Sequence, residues 1–64
     1  MDDMLVFLKA KAEEVGGAER LARWISELTG VFCKAATVQT WLKGHRNMPD
    51  TWKRLIELCL EKNI

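Results

Sequence analysis

The sequence predicts a small all-α domain of four helices, or five. Apolar residues recur at intervals of three and four positions along most of the chain, which is the spacing of helices that bury one face. The four glycines and the single proline fall between these periodic segments, where helices begin and end. With 64 residues, of which 48% are hydrophobic and 30% charged, the chain is expected to fold as one domain over residues 1–64.

The first two helices are predicted on either side of a glycine pair. Helix one is expected over residues 2–15, and Gly16-Gly17 supply the left-handed backbone that ends it. Helix two is expected over residues 18–28, before the break at Thr29-Gly30. Their core-facing stripes are Met4, Leu5, Leu8, Ala12 and Val15 in helix one, and Ala18, Leu21, Ala22, Ile25 and Leu28 in helix two, with Trp24 at the edge.

A short connection and two further helices complete the prediction. Residues 31–34 are largely apolar but too short for a paired strand, so a buried turn is expected there. Helix three is expected over residues 35–43 with Gly44 as its stop, followed by a loop and by Pro49 at the first position of helix four. The inward side chains are Val38, Trp41 and Leu42 in helix three, and Trp52, Leu55, Ile56, Cys59 and Leu60 in helix four.

The residues that metal sites and catalysis need are scarce. Cys33 and Cys59 form no CxxC pair and His45 is the only histidine, so we expect no zinc site, no disulfide and two reduced, buried thiols. Glu13 and Glu14 lie side by side without a histidine or serine partner nearby. We therefore expect no enzyme activity, no metal or other cofactor and no small-molecule substrate.

Nothing in the sequence indicates insertion into a membrane. No apolar run approaches the roughly 18 residues that a span requires. The acidic start Met1-Asp2-Asp3 also differs from the basic start of a secretory signal. We expect a cytoplasmic protein without membrane association.

Positive charge is concentrated in one part of the chain, although the formal net charge is only +1. Residues 34–54 carry five basic side chains and one acidic side chain, whereas residues 1–33 carry four basic and six acidic ones. Such a patch is typical of a polyanion-binding surface, because phosphate neutralisation supplies most of the non-specific affinity for nucleic acid. A solvated charged face is the alternative interpretation.

Two segments carry a recognisable pattern. They read Gly17-Ala18-Glu19-Arg20-Leu21-Ala22-Arg23 and Ala36-Thr37-Val38-Gln39-Thr40-Trp41-Leu42-Lys43-Gly44. Together they resemble the helix-turn-helix of the phage Cro and lambda-repressor-like family, in which a small residue of one helix packs against two larger apolar residues of the next. Those roles fall here to Ala22, Val38 and Trp41. The resemblance implies a helix-turn-helix over about residues 18–44, with a lengthened helix two and turn.

The resemblance also implies a function. The protein would be a sequence-specific transcriptional regulator that binds double-stranded DNA in a bacterial or phage-host cytoplasm, with residues 35–43 as the recognition helix in the major groove. The base-edge candidates are Gln39 for adenine, Thr37 and Thr40 for a base or a phosphate, and Ala35 or Ala36 for a thymine methyl. Lys34 and Lys43 suit guanine or phosphate, and His45, Arg46 and Asn47 suit the DNA backbone.

Protein partners form a second set of expectations. Val6, Phe7, Leu58 and Ile64 fall off the inward stripes, which predicts that some of them form a two-fold homodimer interface. The alternative is that they close the small core or lie singly on the surface. The competing functional hypothesis is a protein-protein interaction module, such as an anti-repressor, antitoxin or adaptor, that keeps the fold without binding DNA.

Overall fold

The structure is a computed structural model that describes residues 3–62, and this part of the chain contains four helices and no strand. The helices are α1 (Asp3–Val15), α2 (Ala18–Thr29), α3 (Ala35–Leu42) and α4 (Asp50–Lys62). The prediction of an all-α fold is therefore confirmed, with four helices rather than five in the described range. The chain measures 29 × 23 × 20 Å along its principal axes.

The helix boundaries differ from the predicted ones by a residue at three places. α2 extends to Thr29, and α3 ends at Leu42 rather than Lys43. Pro49 lies just before α4 rather than at its first position, and its carbonyl accepts a hydrogen bond from the Lys53 N–H at 3.1 Å. The α1–α2 break falls at the predicted glycine pair, where the N–H groups of Gly16 and Gly17 both donate to the Ala12 carbonyl, at 3.0 and 2.8 Å.

The core is organised around α2, which packs against each of the other three helices. Among the described residues, five apolar side chains are fully buried: Leu8, Leu21, Ile25, Val38 and Ile56. Burying each of them contributes about 1.5–3 kcal/mol, which is a large share of the stability of so short a chain. Met48, which the sequence pattern assigned to a loop, is also buried, at 5% exposed.

The connection between α2 and α3 corrects one prediction. Residues 31–34 are not a buried turn, because Val31 is 46% and Phe32 75% exposed, and only Cys33 is buried. The Ser26 hydroxyl explains the arrangement. It donates to the Ala22 carbonyl at 2.9 Å and accepts the backbone N–H of Cys33 at 2.8 Å, so it ties the connection to α2.

The two cysteines are free, as expected, but they are not equally buried. Cys33 is buried, whereas Cys59 is only half-buried, which corrects the prediction of two buried thiols. Burial raises the pKa of the Cys33 thiol, so it is protonated and inert at neutral pH. Within residues 3–62, no cluster of side chains could hold a metal ion, and no helix has the length and apolar character to cross a membrane.

Candidate nucleic-acid interface

One face of α3 is held inside the protein. Val38 is fully buried and Trp41 is 3% exposed, as the sequence pattern predicts. The Trp41 ring packs against the Trp52 ring of α4, with centroids 5.9 Å apart and a 59° tilt between the planes. Ala22 of α2 is also buried, so the small side chain and the two larger ones that carry the resemblance belong to one core cluster. These contacts fix which side of α3 faces solvent.

The opposite face of α3 and its end present three exposed side chains in a line. Ala36, Gln39 and Lys43 follow the i, i+3, i+7 spacing that places residues along one stripe. The Gln39 amide carries two donors and an acceptor, and the Lys43 ammonium carries a full charge. This stripe is therefore polar and positively charged.

The remaining α3 residues predicted to contact DNA are less exposed. Ala35, Thr37 and Thr40 are half-buried. The Thr40 hydroxyl donates to the Thr37 carbonyl at 2.6 Å, so its proton is used within the helix. Its oxygen can still accept a hydrogen bond, but phosphate oxygens require donors. Thr40 is therefore a weaker candidate for a phosphate contact than the sequence suggests.

The end of α3 is fixed by backbone hydrogen bonds around Gly44. The Gly44 N–H donates to the Trp41 carbonyl at 3.2 Å, and the His45 N–H donates to the Thr40 carbonyl at 3.0 Å. This is the Schellman pattern, which requires a left-handed residue, and Gly44 supplies it with φ +77°. The chain reverses here and leaves His45, Arg46 and Asn47 exposed directly after the helix.

A cleft of about 480 Å³, which we call the α3–α4 cleft, lies beside the stripe. Its lining residues are Ala36, Thr37, Thr40, Trp41, Arg46, Asn47, Pro49 and Trp52. Among these lining residues Arg46 is the charged one, and Asn47 and the two threonines are polar. Trp41 and Trp52 contribute aromatic rings. Five of the residues predicted from the sequence, counting Ala36, therefore line one concave surface.

The basic side chains around α3 are available for a partner. Lys34, Lys43 and Arg46 are exposed, and none of them forms an ion pair with another residue in the range 3–62. The two ion pairs found there lie in the first half of the chain, Lys11–Glu14 and Arg23–Glu27, each at 3.4 Å. In the described range, ion pairs therefore join some of the charged residues of α1 and α2, whereas Lys34, Lys43 and Arg46 around α3 form none.

The N-terminus of α3 begins without a side-chain cap. Lys34 has the extended backbone of a residue that precedes a helix (φ −77°, ψ 140°), but its side chain makes no capping hydrogen bond. The first backbone N–H groups of α3 therefore remain available to solvent, next to an exposed ammonium group. Anionic groups are favoured at such a position.

A second concave surface lies on the other side of α3, and the sequence pattern did not reveal it. This α2 groove, of about 430 Å³, is mostly apolar and is lined by Glu19, Ala22, Arg23, Ser26, Glu27, Phe32, Cys33 and Ala35. Its charged members are two glutamates and an arginine. The Phe32 side chain borders it and is 75% exposed. The apolar residues of this short connection predict a buried turn, so the sequence pattern gives no sign that Phe32 is exposed.

The side chains predicted for a dimer interface lie on two different helices. Val6 and Phe7 on α1 are 52% and 38% exposed, and Leu58 on α4 is 46% exposed. Phe7 also contacts the Trp24 ring, with centroids 6.1 Å apart, so part of its surface closes the α1–α2 packing. Ile64 lies outside the described residues. The dimer formed by these residues stays a prediction.

Comparison with known proteins adds no family to this description. No protein-family model, no curated protein and no solved structure matches the chain.

Proposed function

We propose that this protein binds double-stranded DNA sequence-specifically and regulates transcription by occupying its site, with α3 in the major groove. The groove is about 12 Å wide and admits one α-helix. α3 is short, lies at the surface and is followed by exposed polar and basic residues. These properties agree with those of a recognition helix in the helix-turn-helix family that the sequence resembles.

The observation that carries the proposal is the division of α3 into two faces. Trp41 and Val38 are buried on one face, and Gln39 is exposed on the stripe that it shares with Lys43. The buried Trp41, two positions later on the opposite face, fixes the direction in which the Gln39 side chain leaves the helix. Its amide matches the donor and acceptor of an adenine edge in the major groove.

Phosphate contacts would be made by the groups that flank this stripe. Lys43 follows α3, and Arg46 and Asn47 lie in the loop that borders the α3–α4 cleft. A phosphate in this cleft would meet a guanidinium and an amide, which are both donors. Such contacts set the register of the helix on the duplex but carry no sequence information.

Selection of bound sites from random duplex DNA tests the proposal. The wild-type protein is expected to enrich one sequence motif. Gln39→Ala is expected to relax the preference at one position, equivalent to about 1–3 kcal/mol of discrimination, because the paired hydrogen bonds to the base are lost. Glu61→Ala on α4 serves as a control, since it changes an exposed side chain far from α3 in the sequence and should leave the motif unchanged.

The outcomes separate two claims. If no motif is enriched, sequence-specific binding is refuted. If a motif is enriched and Gln39→Ala retains it in full, DNA binding stands and the role of Gln39 is refuted.

A protein-protein interaction module is the second candidate, and the α2 groove favours it. This groove is apolar, bordered by the exposed Phe32, and its charged members include two glutamates. Glutamates repel phosphates, so this surface suits a protein rather than DNA. Retention on a DNA column distinguishes the candidates: elution in the flow-through at low salt would favour a module that binds only protein.

A further inference from the structure

We propose that the α2 groove is a self-association site, in which Phe32 of each protomer occupies the groove of a second copy of this chain. The inference concerns a different surface from the one proposed to bind DNA, and it does not depend on DNA binding. It rests on an exposed aromatic side chain held in a fixed connection, an apolar groove beside it, and charges that complement each other between two copies.

Phe32 is held in its exposed position by the chain around it. The Cys33 N–H donates to the Ser26 hydroxyl at 2.8 Å, and the Val31 N–H donates to the Thr29 hydroxyl at 3.2 Å. Residues 32–34 alternate as an extended chain does, with Cys33 buried and its two neighbours exposed. Phe32 and Lys34 therefore project from the same side of the connection. The backbone on both sides of Phe32 is therefore fixed before a partner binds, so only the rotamers of the side chain itself remain to be restricted.

The groove beside Phe32 offers an apolar surface to that side chain. Ala22, Ala35 and Cys33 contribute small side chains to its lining, which leave space between α2 and the start of α3. Because the same protomer carries both the aromatic side chain and the groove, a two-fold axis can satisfy both halves of the contact at once. Burying two phenylalanine side chains also supplies apolar area that a 64-residue domain lacks by itself.

The charged residues at the α2 groove also favour a second copy of this chain as the partner. Arg23 and Glu27 form an ion pair with each other at 3.4 Å, whereas Glu19 forms none with another residue of the described chain. Lys34, two positions after Phe32, is likewise without an ion pair there. A second copy that places Phe32 in the groove brings its own Lys34 to the acidic border. A polyanion would instead meet the carboxylate of Glu19.

Sedimentation equilibrium of the full chain without DNA, from low micromolar to millimolar concentration, tests the proposal. The wild-type protein is expected to dimerise. Phe32→Ser is expected to weaken the dimer by about a hundredfold or more, because each dimer loses two buried rings. Phe32 is 75% exposed in the single chain, so this variant should keep the helical circular dichroism and the thermal midpoint of the monomer. Val6→Ser, at a position 52% exposed on α1, distinguishes this interface from the one that the sequence predicts on α1 and α4; if the α2 groove is the interface, this variant should dimerise like the wild type.

A charge exchange tests the orientation of the two copies. Lys34→Glu is expected to weaken the dimer, and adding Glu19→Lys in the same chain is expected to restore it, since the pair is re-formed with its signs reversed. A wild-type protein that stays monomeric throughout the range would overturn the proposal. So would a dimer that survives Phe32→Ser, or one that is lost in Val6→Ser, which would assign the interface to α1 instead. None of these results bears on the DNA selection.

Discussion

The α2 groove and the α3–α4 cleft flank the same helix, but they differ in chemistry. The groove is mostly apolar, and its charged members are Glu19, Arg23 and Glu27. The cleft has one charged member, Arg46, together with an amide and two threonine hydroxyls. α3 thus separates a surface suited to another protein from a surface suited to phosphate. A formal net charge of +1 conceals this difference, because the two signs are sorted in space.

The separation of acidic from basic side chains follows from their order along the sequence. Acidic residues outnumber basic ones in the segment that forms α1 and α2, and basic residues outnumber acidic ones from residue 34 to residue 54. Because the connection and α3 fold back against α2, the two segments meet along α3. An uneven distribution along the sequence therefore becomes two surfaces of different charge, one on each side of a single helix.

Replacing Trp41 with alanine should disrupt both the α2 groove and the α3–α4 cleft. The ring is 3% exposed and packs against Trp52, so its loss leaves a cavity under α3 and costs about 3–5 kcal/mol. That is comparable to the whole stability of a domain of this size, so the variant should be largely unfolded. Urea denaturation followed by circular dichroism measures the effect. Trp24→Ala, which removes a half-buried ring between α1 and α2, should cost less, and equal losses would contradict the assignment of Trp41 to the centre of the fold.

Replacing Ser26 with alanine should disturb the α2 groove and spare the α3–α4 cleft. The Ser26 hydroxyl accepts the Cys33 N–H, and without it that part-buried donor loses its partner, at a cost of about 1–3 kcal/mol. The free energy of unfolding from urea titration measures the cost. Thr29→Ala is the matched control, because its hydroxyl makes similar hydrogen bonds but serves the exposed N–H of Val31, which water can satisfy. A Ser26→Ala protein as stable as the wild type would show that the connection is held by other contacts.

The inward faces of the helices could be predicted from the sequence because helical periodicity specifies them directly. Val38, Trp41 and Ile56 are buried as their spacing requires, and Gly44 ends α3 by the expected mechanism. The connection could not be predicted in the same way. Phe32 is apolar, yet the hydroxyl of Ser26, seven positions before Cys33, determines which residue of the connection turns inward. A single hydrogen bond between residues seven positions apart produces no periodic pattern of apolar residues in the sequence.

The candidate site was predictable in part for the same reason. Gln39 and Lys43 face outward because Val38 and Trp41 face inward, and this follows from the spacing alone. The half-burial of Thr37 is a tertiary detail, since residues of the loop and of α4 line the same cleft. The hydrogen bond of Thr40 lies within α3 and depends on the rotamer of its side chain, which the spacing of residues does not specify.

The charges of the two surfaces can be tested with one arginine from each. Arg46→Ala, in the α3–α4 cleft, should weaken binding to every duplex by about tenfold near 0.1 M salt and lower the slope of log K against log salt by about one, since one phosphate contact is lost. Arg23→Ala, in the α2 groove, should leave both quantities nearly unchanged because that guanidinium is paired with Glu27. Fluorescence anisotropy over a salt series measures both. Equal effects of the two variants on affinity and salt slope would show that the α3–α4 cleft does not bind DNA in preference to the α2 groove.

The smallest effect is expected from the Cys33 thiol, which lies between the α2 groove and the core. Burial raises the pKa of Cys33, so the folded chain holds its proton more tightly than the unfolded chain does. Its contribution to stability is therefore complete below the pKa of the unfolded thiol and declines as the pH rises through the higher pKa of the folded one. Urea titrations at neutral and alkaline pH should show a steeper alkaline loss for the wild type than for Cys33→Ala, with Cys59→Ala as the control for removing a thiol. Identical alkaline losses in the wild type and Cys33→Ala would mean that water reaches the Cys33 thiolate through the α2 groove. The core beside this groove would then be more open to water than the core around Val38 and Trp41, which are 0% and 3% exposed.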